Sequence, residues 1–561
     1  MNNYINDKIE PKDNNELQAC TDIILAAYKD KINHRDKLLK LIKTACEKYK
    51  VCFVTNAKLL YIYSRLVADK RIKPNVILFE LLRKRKIRTA SGIASVAVLT
   101  KPYKCPGNCL FCPTEKDVPK SYLSNEPAVM RAILAKYDPV TQIFIRIRGL
   151  ELSGNPADKI ELIVMGGTWS YLPTRYQLQY LIGCFWGANN FNKKQTNSNI
   201  HITNIKILKL KKLTIKQLWG RLEKEHTINE TAKYRIIGLT LETRPDYINE
   251  REIIKMRKMG CTRVELGIQS IYDNVLKKND RGHGVDAIVN ATKLLKSVGF
   301  KINYHMMPGM YGSSYKKDLE MFKILFSDDR FQPDMLKIYP CVVTKNAQLY
   351  KKFQRGLYIP YTDVQLIKLI SEIKNSIPLY VRIQRLIRDI PSQSIVAGSK
   401  VSNLRQLIQK NDICCQCIRC REIKSEIKLP VSLERVDYDA SDGKEIFLQY
   451  VDKNNRLYAL LRLRINYDED IVAFGILKNA AIIREVHTYG PMLAVGSRSK
   501  KDPQHSGLGK KLLKIAEQIA EDEFGYKKIA IISGIGVRGY YQKNGYKLVD
   551  TYMVKILKRK S

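Results

Sequence analysis

Between residues 93 and 395 short β-rich runs recur at intervals that a helix can fill: "IASVAVLT", "IELIVMGGT", "YRIIGLTLET", "TRVELGIQS", "FKINYHMM" and "DMLKIYPCVV". No other feature narrows the fold as far. Parallel strands need a crossover of a dozen or more residues, usually helical, and unbroken apolar strands belong to a parallel sheet covered on both faces. The pattern therefore predicts an α/β fold, a full or partial β/α barrel over 93–395. At 561 residues the chain exceeds one core and should divide further. Residues 1–92 read as a basic helical module, with "NELQACTDIILAAYKDKI" and "RDKLLKLIKTACEKY" placing apolar residues three and four apart. Residues 396–430 form a Cys-rich connector, and 431–561 a second αβ domain. The polar tract "GANNFNKKQTNSN" (187–199) reads as a surface insertion.

Charge narrows the partner. Lys and Arg number 97 against 55 Asp and Glu, a formal +42, more than solubility needs and suited to a polyanion such as RNA. A solvated basic surface is the plainer alternative. Two stretches concentrate the charge: Arg83, Lys84, Arg85, Lys86 and Arg88 in "LLRKRKIRTASG", and Arg382, Arg385 and Arg388 in "RIQRLIRD". No run of about 18 uncharged apolar residues occurs, and the N-terminus lacks a signal-peptide core, so no membrane and a soluble cytoplasmic setting are expected. The 13 cysteines mostly stand singly in apolar runs, as buried free thiols do. Two groups break that rule.

The first is "KCPGNCLFCP", where Cys105, Cys109 and Cys112 follow directly on the strand-like "IASVAVLT". A loop leaving the C-terminal end of a barrel strand is where barrel enzymes keep their chemistry. Three thiolates hold three irons of a 4Fe–4S cluster, and a cluster kept for electron transfer alone would normally have a fourth. A zinc knuckle or free thiols remain the alternative, but zinc wants a fourth ligand nearby and the loop supplies none. Such an open iron is the site at which radical S-adenosylmethionine (SAM) enzymes chelate SAM and cleave it to a 5′-deoxyadenosyl radical. "IVMGGTW" (163–169) resembles their glycine motif, with Gly166, Gly167 and Thr168 close to the SAM amino group.

Taken in order, "SNEPAVMRAILAKYDP", "GLTLETRPDY", "RVELGIQSIYDNVL", "RGHGV", "HMMPGM" and "LKIYP" resemble the catalytic subunits of Elongator, which modify wobble uridines of tRNA. The likeness spans about residues 80–561. It implies that Glu242 and Gln269 help bind the cofactor and that Lys159 meets a CoA phosphate, a solvated strand-edge lysine being the alternative for the last.

The C-terminal zone carries its own chemistry. "DPQHSGLGKKLLKIAEQIAEDEFG" puts Gly507 and Gly509 at a helix start, where backbone N–H groups and the helix dipole attract an anion. The loop Pro503, Gln504, His505, Gly507, Gly509 resembles the acyl-CoA loop of GNAT acetyltransferases, although a glycine-rich cap can be purely structural. "REVHTYG" resembles the GNAT strand whose backbone pairs with the pantetheine arm, which implicates Glu485, Val486, His487 and Thr488, with His487 alternatively a core histidine. "GVRGYYQKNGYKL" resembles the segment where a Tyr approaches the thioester; Tyr541 is favoured over Tyr540, with core packing as the other reading.

The second thiol group, "CCQCIRC", offers Cys415, Cys417 and Cys420, and the family resemblance implies a structural zinc there, with Cys414 or a distant His such as His487 as fourth ligand. Unligated thiols are the alternative. Together the motifs imply tRNA wobble-uridine 5-carboxymethylation from SAM, a 4Fe–4S cluster and acetyl-CoA, with tRNA and other Elongator-type subunits as partners. A protein lysine acetyltransferase with a structural cluster and a tRNA-binding scaffold are the rival readings.

Overall fold

This computed structural model describes residues 10–83, 92–191, 209–409, 415–423, 430–467, 473–490 and 507–557. Its N-terminal part is four helices, Asn14–Lys29, Arg35–Lys48, Asn56–Ala68 and Val76–Leu82. They enclose a small core of their own around Ile23, Leu38, Leu59 and Leu66. Asp13 and Asn75 cap the first and last of these helices through hydrogen bonds from Glu16 N and Leu78 N.

Seven strands follow, β1 (Ala94–Leu99), β2 (Lys159–Met165), β3 (Arg235–Thr243), β4 (Arg263–Gln269), β5 (Lys301–Met306), β6 (Met335–Ile338) and β7 (Arg382–Arg385). They lie in sequence order, all parallel. Because β1 and β7 stay unpaired with each other, this is the expected partial β/α barrel rather than a closed one. The sixth expected run, "DMLKIYPCVV", shortens to four paired residues, and a seventh strand comes from "RIQRLIRD", which the sequence presents as an arginine cluster.

Only one face of this sheet is apolar. Val264, Leu266 and Ile268 of β4 and Ile302, Tyr304 and Met306 of β5 join the core beneath the helices. The alternate residues Arg263 and Glu265, and Asn303 and His305, point to the concave interior, where Asn303 and His305 hydrogen-bond to Glu265 across neighbouring strands. The unbroken apolar strands expected from sequence are thus two-faced, with helices covering the outer face. The tract 187–199 also differs: residues 187–190 are the last turn of the helix Thr174–Asn190, with Gly187 and Ala188 buried, and 192–208 lie outside the described residues.

The second sheet holds β8 (Ser432–Asp439), β9 (Gly443–Val451), β10 (Leu457–Asn466), β11 (Ala481–Thr488), β12 (Lys528–Ile531), β13 (Lys547–Val549) and β14 (Tyr552–Ile556). Their order is β13-β14-β12-β11-β10-β9-β8, antiparallel except for the β11–β12 pair. This sheet docks on the N-terminal ends of the barrel strands. Arg484 of β11 reaches Asp334, just before β6, at 2.5 Å, and donates to Phe300 O, just before β5, at 2.6 Å. Backbone comes equally close on the other side, where a Cβ on Gly534 or Gly536 would collide with residues 235–238 of β3.

Candidate active sites at the two ends of the barrel

The loop after β1 carries the three cysteines to the C-terminal face. Backbone bonds strap it to two other loops there: Leu110 N to Asn279 O at 3.0 Å, Leu349 N to Leu110 O at 2.8 Å and Thr114 N to Asn346 O at 2.9 Å. Cys109 is buried, and Cys105 and Cys112 are half-buried. Arg281 Nη1 donates to Cys109 Sγ at 3.3 Å. A hydrogen bond from Cys112 pulls the Cys109 thiol down to about 5, against its burial, and the Arg281 and Arg244 guanidiniums add to that effect. Arg244 is held by a two-pronged pair with Asp246, while its Nη1 is buried against Gly107 with no hydrogen-bond partner among the described residues. Cys109 and Cys112 lie within hydrogen-bond reach, whereas Cys105 does not close a tight three-thiol group with them; the thiol pair, two arginines that favour the thiolate and an orphaned buried donor fit an anionic sulfur cluster.

The glycine motif lies beside them. Cys105 Sγ is 3.9 Å from Thr168 Oγ1. Gly166 (φ 132°) and Gly167 (φ 97°) both stand in backbone that side chains avoid. At Gly166 a Cβ would overlap Thr100 Oγ1; at Gly167 the space is open, leaving backbone free for a ligand. Gln269, ending β4, takes the same left-handed backbone (φ 73°), a costly conformation for a non-glycine residue. Glu242 accepts from Tyr122 Oη at 2.9 Å and faces His305 Nδ1 at 3.6 Å. These predicted residues therefore gather around one mouth.

Below that mouth lies a polar interior that sequence reasoning assigned no role. His305 Nε2 is 2.9 Å from Glu265, which also pairs with Lys337; Asn303 bridges Glu265 at 3.2 Å and Gln384 at 2.8 Å. Burial disfavours the Glu265 charge, but Lys337, His305 and Arg263 outweigh it and hold the carboxyl well below its usual range. His305 and Lys337 stand inside two of the quoted motifs, "HMMPGM" and "LKIYP", and strand alternation is the signal that turns both side chains inward.

The other end of the barrel holds the acyl-CoA candidates. β11 pairs with β12 only over Ala481–Ile483, then diverges, leaving Glu485, Val486, His487 and Thr488 along an edge that no described strand covers on that side. Gly507 (φ 75°) opens the helix Leu508–Gln518, and no atom of the described residues lies within 4 Å of where a Cβ would stand. Gly509 has Tyr540 Oη, Thr488 Oγ1 and Val486 Cγ1 for neighbours, within 3.1–3.9 Å of where a Cβ would stand. Tyr540, in part exposed, thus borders the glycine helix, whereas Tyr541 is buried in the core, where burial, then the neighbouring Tyr540 and the Glu485 carboxylate, push its phenol up. Glu485 itself is fixed by Lys301 and Arg462, each at 3.0 Å. His487 lies tilted against Tyr489, ring centroids 4.2 Å apart. Pro503, Gln504 and His505 lie outside the described residues. Lys159 begins β2 at this same end, paired with Arg235, which lies against Gly536.

Cys415, Cys417 and Cys420 bring their sulfurs within 4.8 Å of one another, a spacing that fits one metal ion, and no histidine joins that group among the described residues. Cys414 lies outside them. Of the basic residues, Arg83 pairs with Glu80 at 3.2 Å, and Lys84, Arg85, Lys86 and Arg88 fall outside the described residues. Arg382 pairs with Glu422 at 2.7 Å, Arg385 with Asp389, and Arg388 with Glu126 at 3.1 Å. Among the described residues no helix is long and apolar enough to cross a membrane.

A partial parallel barrel with a three-thiol loop and a glycine turn at its C-terminal face is the architecture of a radical SAM enzyme. Residues 206–325 match the Radical SAM superfamily and 333–411 the Radical_SAM C-terminal domain, and that family implies SAM and a 4Fe–4S cluster. The chain is 42% identical to a tRNA uridine(34) acetyltransferase of Methanocaldococcus infernus over 96% of this chain and 99% of the relative, and 38% identical to human Elongator complex protein 3 over 86% and 87%. The solved structure of the archaeal Methanocaldococcus infernus Elp3 with an N-terminal deletion superposes with a TM-score of 0.68 at 40% identity, covering 83% of this chain and all of that one. The chain belongs to the tRNA uridine(34) acetyltransferase family that these proteins represent.

Proposed function

We propose that this enzyme attaches a carboxymethyl group to carbon 5 of the wobble uridine of tRNA, using SAM, a 4Fe–4S cluster and acetyl-CoA. The observation that carries this reading is that a thiol and glycine site and an acyl-CoA-type helix start share one packed body in a chain 42% identical to a named tRNA uridine(34) acetyltransferase. Cys105, Cys109 and Cys112 would hold the cluster, which supplies the electron for reductive SAM cleavage when bound. Arg281 and Arg244 stabilise the thiolates, and the Gly166–Gly167 turn leaves room for the cofactor's polar end. At the far end, Gly507 and Gly509 present the helix N-terminus to the CoA phosphates, and the edge of β11 that no described strand covers offers amide partners to the pantetheine arm. Tyr540 borders that helix, and Tyr541 lies deeper, toward Glu485. Cys415, Cys417 and Cys420 would bind a structural zinc. The formal charge of +42 suits a tRNA partner in a cytoplasmic setting, with further Elongator-type subunits as candidate partners.

Anaerobically reconstituted protein, reduced with dithionite and given SAM, acetyl-CoA and tRNA, should yield 5-carboxymethyluridine and 5′-deoxyadenosine, read by mass analysis of the nucleosides. Acetylated protein lysines with unmodified tRNA would overturn the reading in favour of protein acetylation.

A further inference from the structure

Beside the thiol loop the barrel mouth holds a hollow of about 630 Å³ bordered by Pro102, Tyr103, Lys104 and Tyr171. Its aromatic rings are unusual in being left to solvent: Tyr103 is 41% and Tyr171 40% exposed. Large exposed rings clustered on one surface mark a binding site more often than they serve the fold. A third ring continues the row, since Tyr171 meets Tyr103 edge-on at 6.5 Å and Tyr247 edge-on at 5.8 Å.

All three stand on turns or loops whose neighbouring residues are anchored. Tyr171 rides a tight turn whose neighbour Trp169 is buried, and Ser170 Oγ in that turn accepts from Thr243 of β3 at 2.9 Å. Tyr247 ends the turn Pro245–Tyr247, which the Arg244–Asp246 pair braces. Tyr103 stands in the strap anchored where Lys101 N donates to Tyr176 Oη at 2.9 Å. The row also sits at the chemistry: Lys104 directly precedes Cys105, and Tyr171 is three residues past Thr168.

Fixed rings beside an exposed lysine are what proteins use to hold unpaired nucleobases, the ring taking the base face and the cation the phosphate. We propose that Tyr103, Tyr171 and Tyr247 form a stacking platform for an unpaired base of the RNA substrate next to the reacting uridine, with Lys104 on its phosphate. This rests on the tRNA reading above. It adds a mode of recognition: a loop base is stacked at the radical site, independently of the basic surface that captures the RNA backbone.

The test uses full-length protein and an anticodon stem-loop RNA with 2-aminopurine on either side of the wobble uridine. Binding should quench the fluorescence at one of the two positions. The double variant Tyr103→Ala, Tyr171→Ala should lose the quench and bind about tenfold or more weakly, stacking being worth about 1–3 kcal/mol per base. The salt dependence of binding should stay parallel to the parent's, because Lys104 and the rest of the basic surface are untouched. Tyr103→Phe with Tyr171→Phe keeps the rings and should match the parent, which separates lost stacking from a misfolded loop. Tight binding without quench at either position, or an alanine pair that binds and quenches like the parent, overturns the platform and leaves the tRNA reading standing. A parent that does not bind the stem-loop overturns both.

Discussion

The two ends of the barrel are built from opposite materials. At the C-terminal end, glycines in left-handed backbone, thiols, an unpartnered arginine nitrogen and exposed tyrosines surround open space. At the N-terminal end, Asp334 and Glu445 are buried with Arg484, Arg462, Arg464 and Lys296, none of the six more than 2% exposed. Burial alone would raise Asp334, yet Arg484, Lys296 and Arg462 hold it far below the usual carboxylate range. The contrast follows a rule of barrels: loops after the strands carry chemistry, and the opposite face carries stability. Here the stabilising face doubles as the seat of a second domain, so the acyl-CoA candidates look out from the end that would otherwise only hold the fold. Strand β5 alone, six residues long, puts on the order of 20 Å between the two ends.

The sharpest way to break this division is Cys109→Ala. It should remove visible cluster absorbance after reconstitution and abolish 5′-deoxyadenosine and carboxymethyluridine, while acetyl-CoA hydrolysis and the unfolding midpoint stay near the parent's. Joint loss of both activities would mean the ends are not separable. Asp334→Ala attacks the other end. Stripping the counter-charge from Arg484, Arg462 and Lys296 should cost about 3–5 kcal/mol in urea unfolding and depress both activities together; a cost under about 1 kcal/mol would show that the ionic cluster does not hold the seat.

A pH series sharpens the same point. His226 packs on Phe185 with its centroid 4.5 Å away, and burial, helped by Arg538 and Arg257, pushes it down to about 3. Its folded value lies below the unfolded one of about 6.5, so the stability it contributes is complete above that pH and is lost as pH falls toward 3. Between about pH 6.5 and 4.5, before most carboxylates titrate, His226→Gln should flatten the fall of unfolding free energy by up to about 1.4 kcal/mol per pH unit. An unchanged slope would place the acid sensitivity elsewhere. The smallest effect is expected at the outer edge of the second sheet, where Arg435 meets Glu523 at 2.6 Å in the open. Glu523→Ala should cost under about 1 kcal/mol, and a larger loss would blur the contrast between buried and exposed ion pairs.

Much of the C-terminal end was legible in the sequence because its constraints are local. Three thiols within eight positions and a Gly-Gly pair closing an apolar strand each specify geometry over a few residues, as the glycine at a helix start does at the other end. The seventh strand leaves no apolar pattern in the sequence, because it is four residues long, only Ile383 in it is buried, and arginines flank that residue. The two-faced strands were visible in "TRVELGIQS", where Arg263 and Glu265 alternate with Val264 and Leu266, but the apolar half of the pattern dominated the reading.

The sequence by itself determined the parallel α/β order, the thiol and glycine motifs and the second αβ domain, since spacing and periodicity act between near neighbours along the chain. Only the tertiary structure decided which barrel end the second sheet covers, that Arg484 finds Asp334 150 residues away, and that Tyr103, Tyr171 and Tyr247 form one row. Those outcomes depend on which buried charges can be neutralised and which rings stay exposed once two domains share a surface, and no local pattern encodes that.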